Sequence, residues 1–394
     1  MKIMVLGADG YLGWPTALHL SKKGHEVAVV DNCVRRSYDL EMGVDSLVPI
    51  ASFQRRIQAW KEVSGIELTS WFGDLTDPDF VHRIVREFRP EAIVHFAEQR
   101  SAPYSMIDQK HCVYTQVNNV VNTLNVVYAI ADIDPDIHLV KLGTMGEYGT
   151  PNIDIEEGYI EITHKGRTDT LPYPKQPHSF YHLSKVHDSH NIQFACRVWG
   201  IRATDLNQGV VYGQETPETI EHPDLLTRYD YDGVFGTVLN RFVAQAVAGL
   251  PLTVYGTGGQ TRGTLDVRDT LACIELACMN PANQGEFRVF NQFTESFSVL
   301  QFAEMVRDAY NKPVEIQHGE LVRVEIEDHY YNAIHTRLVD LGLQPHLLNK
   351  DTLEKMLAMT EKYAHRIDPA AFKATVNWRN TTNYLPTSGS PLPR

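Results

Sequence analysis

The chain has 394 residues, 43% of them hydrophobic, and a formal net charge of −13. That length can bury a large core and suits two domains, or one with an extension. The acidic balance, with no block of Lys and Arg, argues against a nucleic-acid or anionic-membrane partner, since both call for a basic patch.

Short apolar runs at 3–6, 27–30, 68–72, 92–96, 139–142 and 203–206 alternate with helical patterns at 11–22, 80–88, 114–131 and 181–199. Strand and helix taking turns in this way predicts right-handed crossovers and a parallel sheet covered on both faces. That is an α/β fold, a doubly wound Rossmann-type sheet. Residue 1 is expected to start the fold with no targeting peptide, and no apolar run reaches membrane-spanning length. After about 206 the rhythm loosens into a polar, acid-rich stretch with Pro217 and Pro223, followed by a helix near 235–248 and a strand at 252–255. The sheet domain is therefore assigned to 1–206, with a contribution from about 234–270. A smaller C-terminal α/β substrate domain takes most of 207–375, and 376–394, which lacks an apolar period, is expected to be a mobile tail. The five cysteines, Cys33, Cys112, Cys196, Cys273 and Cys278, are scattered and never spaced Cys-x-x-Cys. Neither a disulfide framework nor a zinc site is expected, and a reducing compartment fits.

Gly7-Ala8-Asp9-Gly10-Tyr11-Leu12-Gly13 follows the first strand and opens the first helix, where small residues let the backbone approach a pyrophosphate at the helix N-terminus. The spacing is G-x-x-G-x-x-G, and a ligand-free glycine turn is the bland alternative. Asp31, ending the second strand, weighs against that alternative. A carboxylate there, with Asn32 beside it, can hold the adenosine ribose hydroxyls and would repel a 2′-phosphate, which favours NAD. Arg35 and Arg36 pull the other way, because guanidinium groups suit the 2′-phosphate of NADP; Asp31 receives the greater weight. Asp74 and Leu75 past the third strand, Phe96 and Glu98 past the fourth, and Asn118 on the long helix complete the expected cofactor cleft. Residues 1–206 thus read as an NAD-binding domain.

Tyr181 and Lys185, four apart on a helix, share one face. A free phenol titrates near 10 and a nearby ammonium favours the phenolate, so Tyr181 could take a hydroxyl proton near neutral pH while hydride leaves the same carbon. Such pairs arise by chance on many helices. Thr144, at the end of the fifth strand, can bond the same hydroxyl and joins the pair into a constellation. His187, Asp188 and His190 share the helix with no further Cys or His cluster, so structural roles are favoured and no metal is expected.

The glycine turn, Asp31, Thr144 and Tyr181-x-x-x-Lys185, in this order, resemble the extended short-chain dehydrogenase/reductase family that modifies nucleotide sugars, over nearly the whole chain. The resemblance implies that Tyr181 is the base, that Lys185 holds the nicotinamide ribose and eases deprotonation of Tyr181, and that Thr144 orients the sugar hydroxyl. Segments 98–108, 141–157, 173–189, 205–213 and 252–262 are similar to the branch of that family that turns UDP-glucose and sulfite into a sulfosugar nucleotide. By that likeness C4 is oxidised, water leaves across C5–C6, sulfite adds at C6 and hydride returns to C4, so that bound NAD stays. UDP is then expected at Asn207, Gln208, Thr253, Val254 and Tyr255, with Arg262 and Arg323 clamping the diphosphate.

Sugar 4,6-dehydratases carry their acid and base in a Thr-Asp-Glu segment, which here reads Thr144-Met145-Gly146-Glu147. A thioether cannot protonate a leaving group, and Glu147 stands one position beyond the usual base, though it is kept as a candidate. His182 or Tyr181 is expected to serve the C6 hydroxyl, and Arg100 and His182 to hold sulfite. A UDP-glucose 4-epimerase or 4,6-dehydratase would use the same residues without sulfite. A non-catalytic dinucleotide sensor would need none of Thr144, Tyr181 and Lys185. The resemblance also implies a homodimer through the helices that carry Asn118 and Tyr181. Plant members carry a plastid transit peptide, so the chain resembles a bacterial, cytoplasmic form or a trimmed form from the plastid stroma.

Overall fold

The computed structural model describes residues 1–320, 330–374, 376 and 378. The chain opens with β1 (Lys2–Leu6), α1 (Gly13–Lys22), β2 (Glu26–Asp31), α2 (Val34–Met42), α3 (Phe53–Ser64), β3 (Thr69–Phe72) and α4 (Pro78–Phe88). It continues through β4 (Ala92–His95), α5 (Ala102–Ser105), α6 (Gln109–Ile133), β5 (His138–Thr144) and a hairpin of β6 (Tyr159–His164) and β7 (Arg167–Pro172). Next come α7 (Phe180–Trp199), β8 (Arg202–Gln208), β9 (Val210–Tyr212), α8 (Val238–Val247), β10 (Leu252–Tyr255), β11 (Thr261–Asp266) and α9 (Val267–Met279). The described elements end with β12 (Phe287–Gln292), β13 (Glu295–Ser298), α10 (Val299–Ala309), β14 (Ile316–Gly319), α11 (Arg337–Asp340) and α12 (Lys350–Lys362).

Seven strands form one all-parallel sheet in the order β3-β2-β1-β4-β5-β8-β12. Alternate residues serve its two faces. Ile3 and Val5 pack with Trp14, Trp60 and Ile274 on one side, and Met4 and Leu6 with Phe80, Val126 and Ile192 on the other. The α/β, doubly wound expectation is met, and all six predicted strands lie in this sheet. The seventh, β12, falls outside both 1–206 and 234–270. Its polar residues hide it as an apolar run, yet they are buried and paired: Asn291 N–H donates to Glu157 at 3.0 Å and Gln208 Nε2 to Gln292 Oε1 at 3.2 Å.

Capping decides where α7 begins. Ser179 Oγ accepts the His182 N–H at 3.1 Å, and Gly200, at φ 69°, ends α7. Tyr181 and His182 therefore occupy the first turn, where the helix meets the end of β5. The later part of the chain adds β11 between β9 and β13, and β10 paired with β14. There α8, β10, α10 and α12 build a separate core from Phe242, Leu252, Phe302, Leu353 and Leu357.

Between β9 and α8, the stretch 213–237 runs as a strap over the C-terminal ends of the strands. Trp14 Nε1 donates to Leu225 O at 2.9 Å, Arg56 to Leu226 O at 3.2 Å, and Thr227 Oγ1 to the Tyr11 carbonyl at 2.7 Å. Val376 and Trp378, within the segment expected as a tail, pack with Tyr38, Tyr104 and Phe235 of this region. The other residues of 376–394 lie outside the described ones, as does Arg323.

Candidate active site

Strand order reverses at β1, and the cleft opens there, at the C-terminal ends of the strands. Every residue expected at the cofactor lines this cleft except Asp9 and Arg36. The glycines are required by close approach: a Cβ at Gly7, whose φ is +83°, would stand 2.7 Å from the Ala97 nitrogen, and one at Gly13 would overlap the Gly7 carbonyl. Leu12, at the N-cap of α1, offers no side-chain acceptor to the first-turn N–H groups, so they can meet a diphosphate.

Asp31 accepts the N–H groups of Asp9 at 2.7 Å and Cys33 at 2.6 Å, which fixes its carboxylate at the rim. Burial, then the charge of Asp9, pushes Asp31 up to about 6. Asp9 itself is sunk beneath the turn, paired with Arg36 at 2.7 Å and Arg56 at 2.9 Å. This corrects the sequence expectation for both Asp9 and Arg36: the guanidinium is drawn under the turn by a buried carboxylate, away from the adenosine side. Arg35 does line the cleft, but it pairs with Asp39 and, at 3.2 Å, with Asp230. The residues thus fit NAD, with an acceptor for ribose hydroxyls and no uncommitted guanidinium among the described residues for a 2′-phosphate.

A second cleft adjoins the first, and Arg100, Thr144, Tyr181, Gln208, Phe235 and Thr237 line both. At this junction Lys185 Nζ lies 6.0 Å from the centre of the Tyr181 ring and donates to the Leu142 carbonyl at 2.6 Å. Glu98 Oε2 lies 2.8 Å from the same ammonium. Burial raises the phenol of Tyr181, and the charge of Lys185 works against that rise. Thr144 Oγ1 accepts the Gly146 N–H at 3.1 Å and so aims its hydroxyl at the junction.

Glu147, a candidate base, does not reach either cleft. It is fully buried, 3.3 Å from Lys141 Nζ, paired with Lys175, and receives the Ser189 hydroxyl at 2.9 Å. Burial alone would raise it, but Lys141 and then Lys175 hold it well below the usual carboxylate range. A carboxylate so committed to two ammonium groups is a weak base, and it lines neither cleft. Met145 lines the second cleft and packs on Tyr148 and Tyr173. The imidazole of His182 fills the space beside Gly146, where any Cβ would overlap it, and Ser179 Oγ holds its Nδ1 at 3.0 Å.

The second cleft also takes in Tyr255 and Arg262. Three expected UDP residues stay outside it. Asn207 is buried and donates to Tyr148 Oη at 2.8 Å, Val254 belongs to the α8–α10 core, and Thr253 is held by Gln245 and Arg241. Strand alternation explains Val254, which points into the core; Thr253 shares a face with Tyr255 but is taken up by Gln245 and Arg241, and only Tyr255, at the strand end, reaches the cleft. Gln260 and His178, inside marked segments but given no role there, line it too, as do Arg241 and Tyr331, which no motif marked. Thr237 Oγ1, Arg241 Nε and Gln260 Nε2 are buried with no hydrogen-bond partner among the described residues, as expected of groups that meet a polar ligand.

The model of the NAD dependent epimerase/dehydratase family matches residues 3–291. The UDP-sulfoquinovose synthase of Spinacia oleracea, a chloroplastic protein, is 59% identical over 381 residues, covering 96% of this chain and 79% of that protein. The UDP-sulfoquinovose synthase of Sulfolobus acidocaldarius is 46% identical over 372 residues, 93% of this chain and 94% of that protein. Among solved structures, the UDP-glucose 4-epimerase of Thermotoga maritima with UDP-glucose superposes with a TM-score of 0.69 at 20% identity, covering 92% of this chain and 99% of that one; at this identity the likeness is one of fold. The chain belongs to the NAD dependent epimerase/dehydratase family and, within it, to the UDP-sulfoquinovose synthases.

Proposed function

We infer that this NAD-dependent enzyme turns UDP-glucose and sulfite into UDP-sulfoquinovose. The observation that carries the sulfite part is the wall of the second cleft. Arg100, His178, His182, Arg241 and Arg262 line it, while Asp232, its one carboxylate among the described residues, is tied to the Val234 and Phe235 N–H groups at 2.8 Å. Such a wall suits a diphosphate and a second, smaller anion at once.

Tyr181 takes the O4 proton while Thr144 orients that hydroxyl and Lys185 supports the phenolate. Bound NAD supplies the hydride acceptor at C4 and later the donor, and its cationic ring adds positive charge beside the phenol. The ketone acidifies the C5 hydrogen, so water can leave from C6. His182, beside Gly146 in the wall of the second cleft, is the group we assign to the C6 hydroxyl, since Glu147 is locked in its ion pairs. The 4-keto-5,6-ene is electrophilic at C6, where the sulfite sulfur adds, held by Arg100 and His182, while the proton that hydrogen sulfite brings goes to C5. The proton stored on Tyr181 then returns to O4. Gln208, Tyr255 and Arg262 take the nucleotide portion; Asn207, Thr253 and Val254 support that wall from behind.

Helices α6 and α7 pack together and leave Val113, Val117, Tyr128, Phe194, Val198 and Trp199 exposed. This apolar surface supports a homodimer joined through these two helices. Five free cysteines support a reducing, cytoplasmic location. The deciding experiment incubates pure protein with UDP-glucose, with and without sulfite, and records product masses. A sulfosugar nucleotide is expected only with sulfite; an isomer or a dehydrated sugar alone would overturn the reading in favour of an epimerase or a 4,6-dehydratase.

A further inference from the structure

Glu98 sits where the cofactor cleft meets the catalytic helix, and the steps above make no use of its charge. Its side chain is 1% exposed, and a carboxylate so placed stays ionised only beside a cation. Lys185 Nζ is 2.8 Å from Oε2, while His95 Nε2 is 3.8 Å from Oε1. His95 is not a second cation: burial holds it down at about 4, and its Nε2 faces Asn122 and Thr123 at 3.2 Å. Asp188, the nearby buried acid of α7, is raised well above the carboxylate range by burial and then by the charge of Glu98. Among the described residues, Glu98 therefore directs its charge at Lys185.

That pairing bears on Tyr181. Burial is the largest obstacle to ionising the phenol; of the charges near it, Lys185 on its own helix, Arg100 after β4 and Lys141 on β5 favour ionisation while Glu98 opposes it, and the ring of His182 stands 5.0 Å away. In the proposed reaction the phenol must keep a proton from C4 oxidation until C4 reduction, while water leaves and sulfite adds. A lone ammonium would favour loss of that proton throughout.

We propose that Glu98 is a positioning residue for the C4 redox steps: paired with Lys185, it keeps the proton taken up by Tyr181 in place until C4 is reduced. This rests on the C4-oxidation half of the reading above. The test compares the NAD-loaded enzyme with its Glu98→Gln variant, each against a counterpart carrying Tyr181→Phe, by ultraviolet absorbance of the phenolate as pH rises. The difference isolates Tyr181. Removing the carboxylate should lower the pH at which Tyr181 ionises by about one unit. The acidic limb of C4 oxidation, read as reduced nicotinamide on adding UDP-glucose without sulfite, should move down with it.

If Glu98→Gln does not retain NAD, Glu98→Asp carries the test; its carboxylate stands back by one methylene and should shift ionisation in the same direction by less. An unmoved ionisation in the variant that retains NAD, even with a lower thermal midpoint, overturns the proposal and leaves Glu98 a structural ion-pair partner. Neither readout uses sulfite, so failure of the wild type to form a sulfosugar would overturn the reaction while leaving this inference standing.

Discussion

Gly146 is where a single missing side chain changes the chemistry. A methyl group there overlaps the ring of His182, which Ser179 holds from the other side. Gly146→Ala should therefore leave C4 oxidation within a few-fold of wild type but lower sulfosugar formation by about 10²-fold, as removal of a general acid–base group does. Reduced-nicotinamide absorbance and product mass read the two steps apart. Tyr181→Phe should lose both, by about 10²- to 10⁴-fold, because the phenol serves every proton transfer at O4. At this scale much was legible: Asp31, Thr144, Tyr181 and Lys185 stand at strand ends and on one helix face, which chain order and spacing reveal. Glu147, Asp9 and Arg36 were not legible as buried partners. Whether a carboxylate faces a cleft or a cation depends on groups far away in sequence, Lys175 across from Glu147 and Arg56 across from Asp9.

At the level of elements, the strap 213–237 closes the cofactor cleft with charge as well as contact. Asp230 joins Arg35 and Arg100, two guanidinium groups that line that cleft, and those arginines hold it down at about 2 against the effect of burial. Asp230→Asn leaves Arg35 and Arg228 to share Asp39 and leaves half-buried Arg100 without its carboxylate. The variant should lose NAD on gel filtration, where the wild type keeps it, and unfold at a lower temperature. His19 on α1 ties the strap to α9 through Glu218 at 3.3 Å and Glu275 at 2.8 Å. Burial lowers His19, but Glu218 and Glu275 outweigh it and the net shift is upward. A raised native value means the stabilisation is complete below the unfolded value of about 6.5 and fades as pH rises through the native one. The thermal-midpoint difference between wild type and His19→Asn should accordingly be largest in mild acid and shrink toward alkaline pH. The sequence pattern left this stretch as a polar connection, since strap contacts are made by scattered residues without period.

For the whole molecule, exposed Val117 on α6 and Phe194 on α7 carry the expectation of assembly. Phe194→Glu places a charge in the proposed seam and should yield a monomer by sedimentation, with an unchanged far-ultraviolet spectrum. A wild-type protein that sediments as a monomer would refute the dimer. The sheet joins β1 to β12 across most of the chain, so the linear division at 206 separates strands that pair: Phe287–Gln292 lies register-matched on Ala203–Gln208.

Alone, the sequence determined the doubly wound sheet, the cofactor type and the meeting of Thr144, Tyr181 and Lys185 at one place. Each of these rests on local order: apolar period, a glycine turn after a strand, a carboxylate at a strand end, two residues one helical turn apart. Tertiary structure decided which charges are neutralised and which side chains share a wall. It buried Glu147 between Lys141 and Lys175, moved His182 into the space left by Gly146, and brought Glu98 onto Lys185. Charges in a low-dielectric interior are governed by their nearest partners in space, and those partners come from separate strands, loops and helices whose meeting no local pattern encodes.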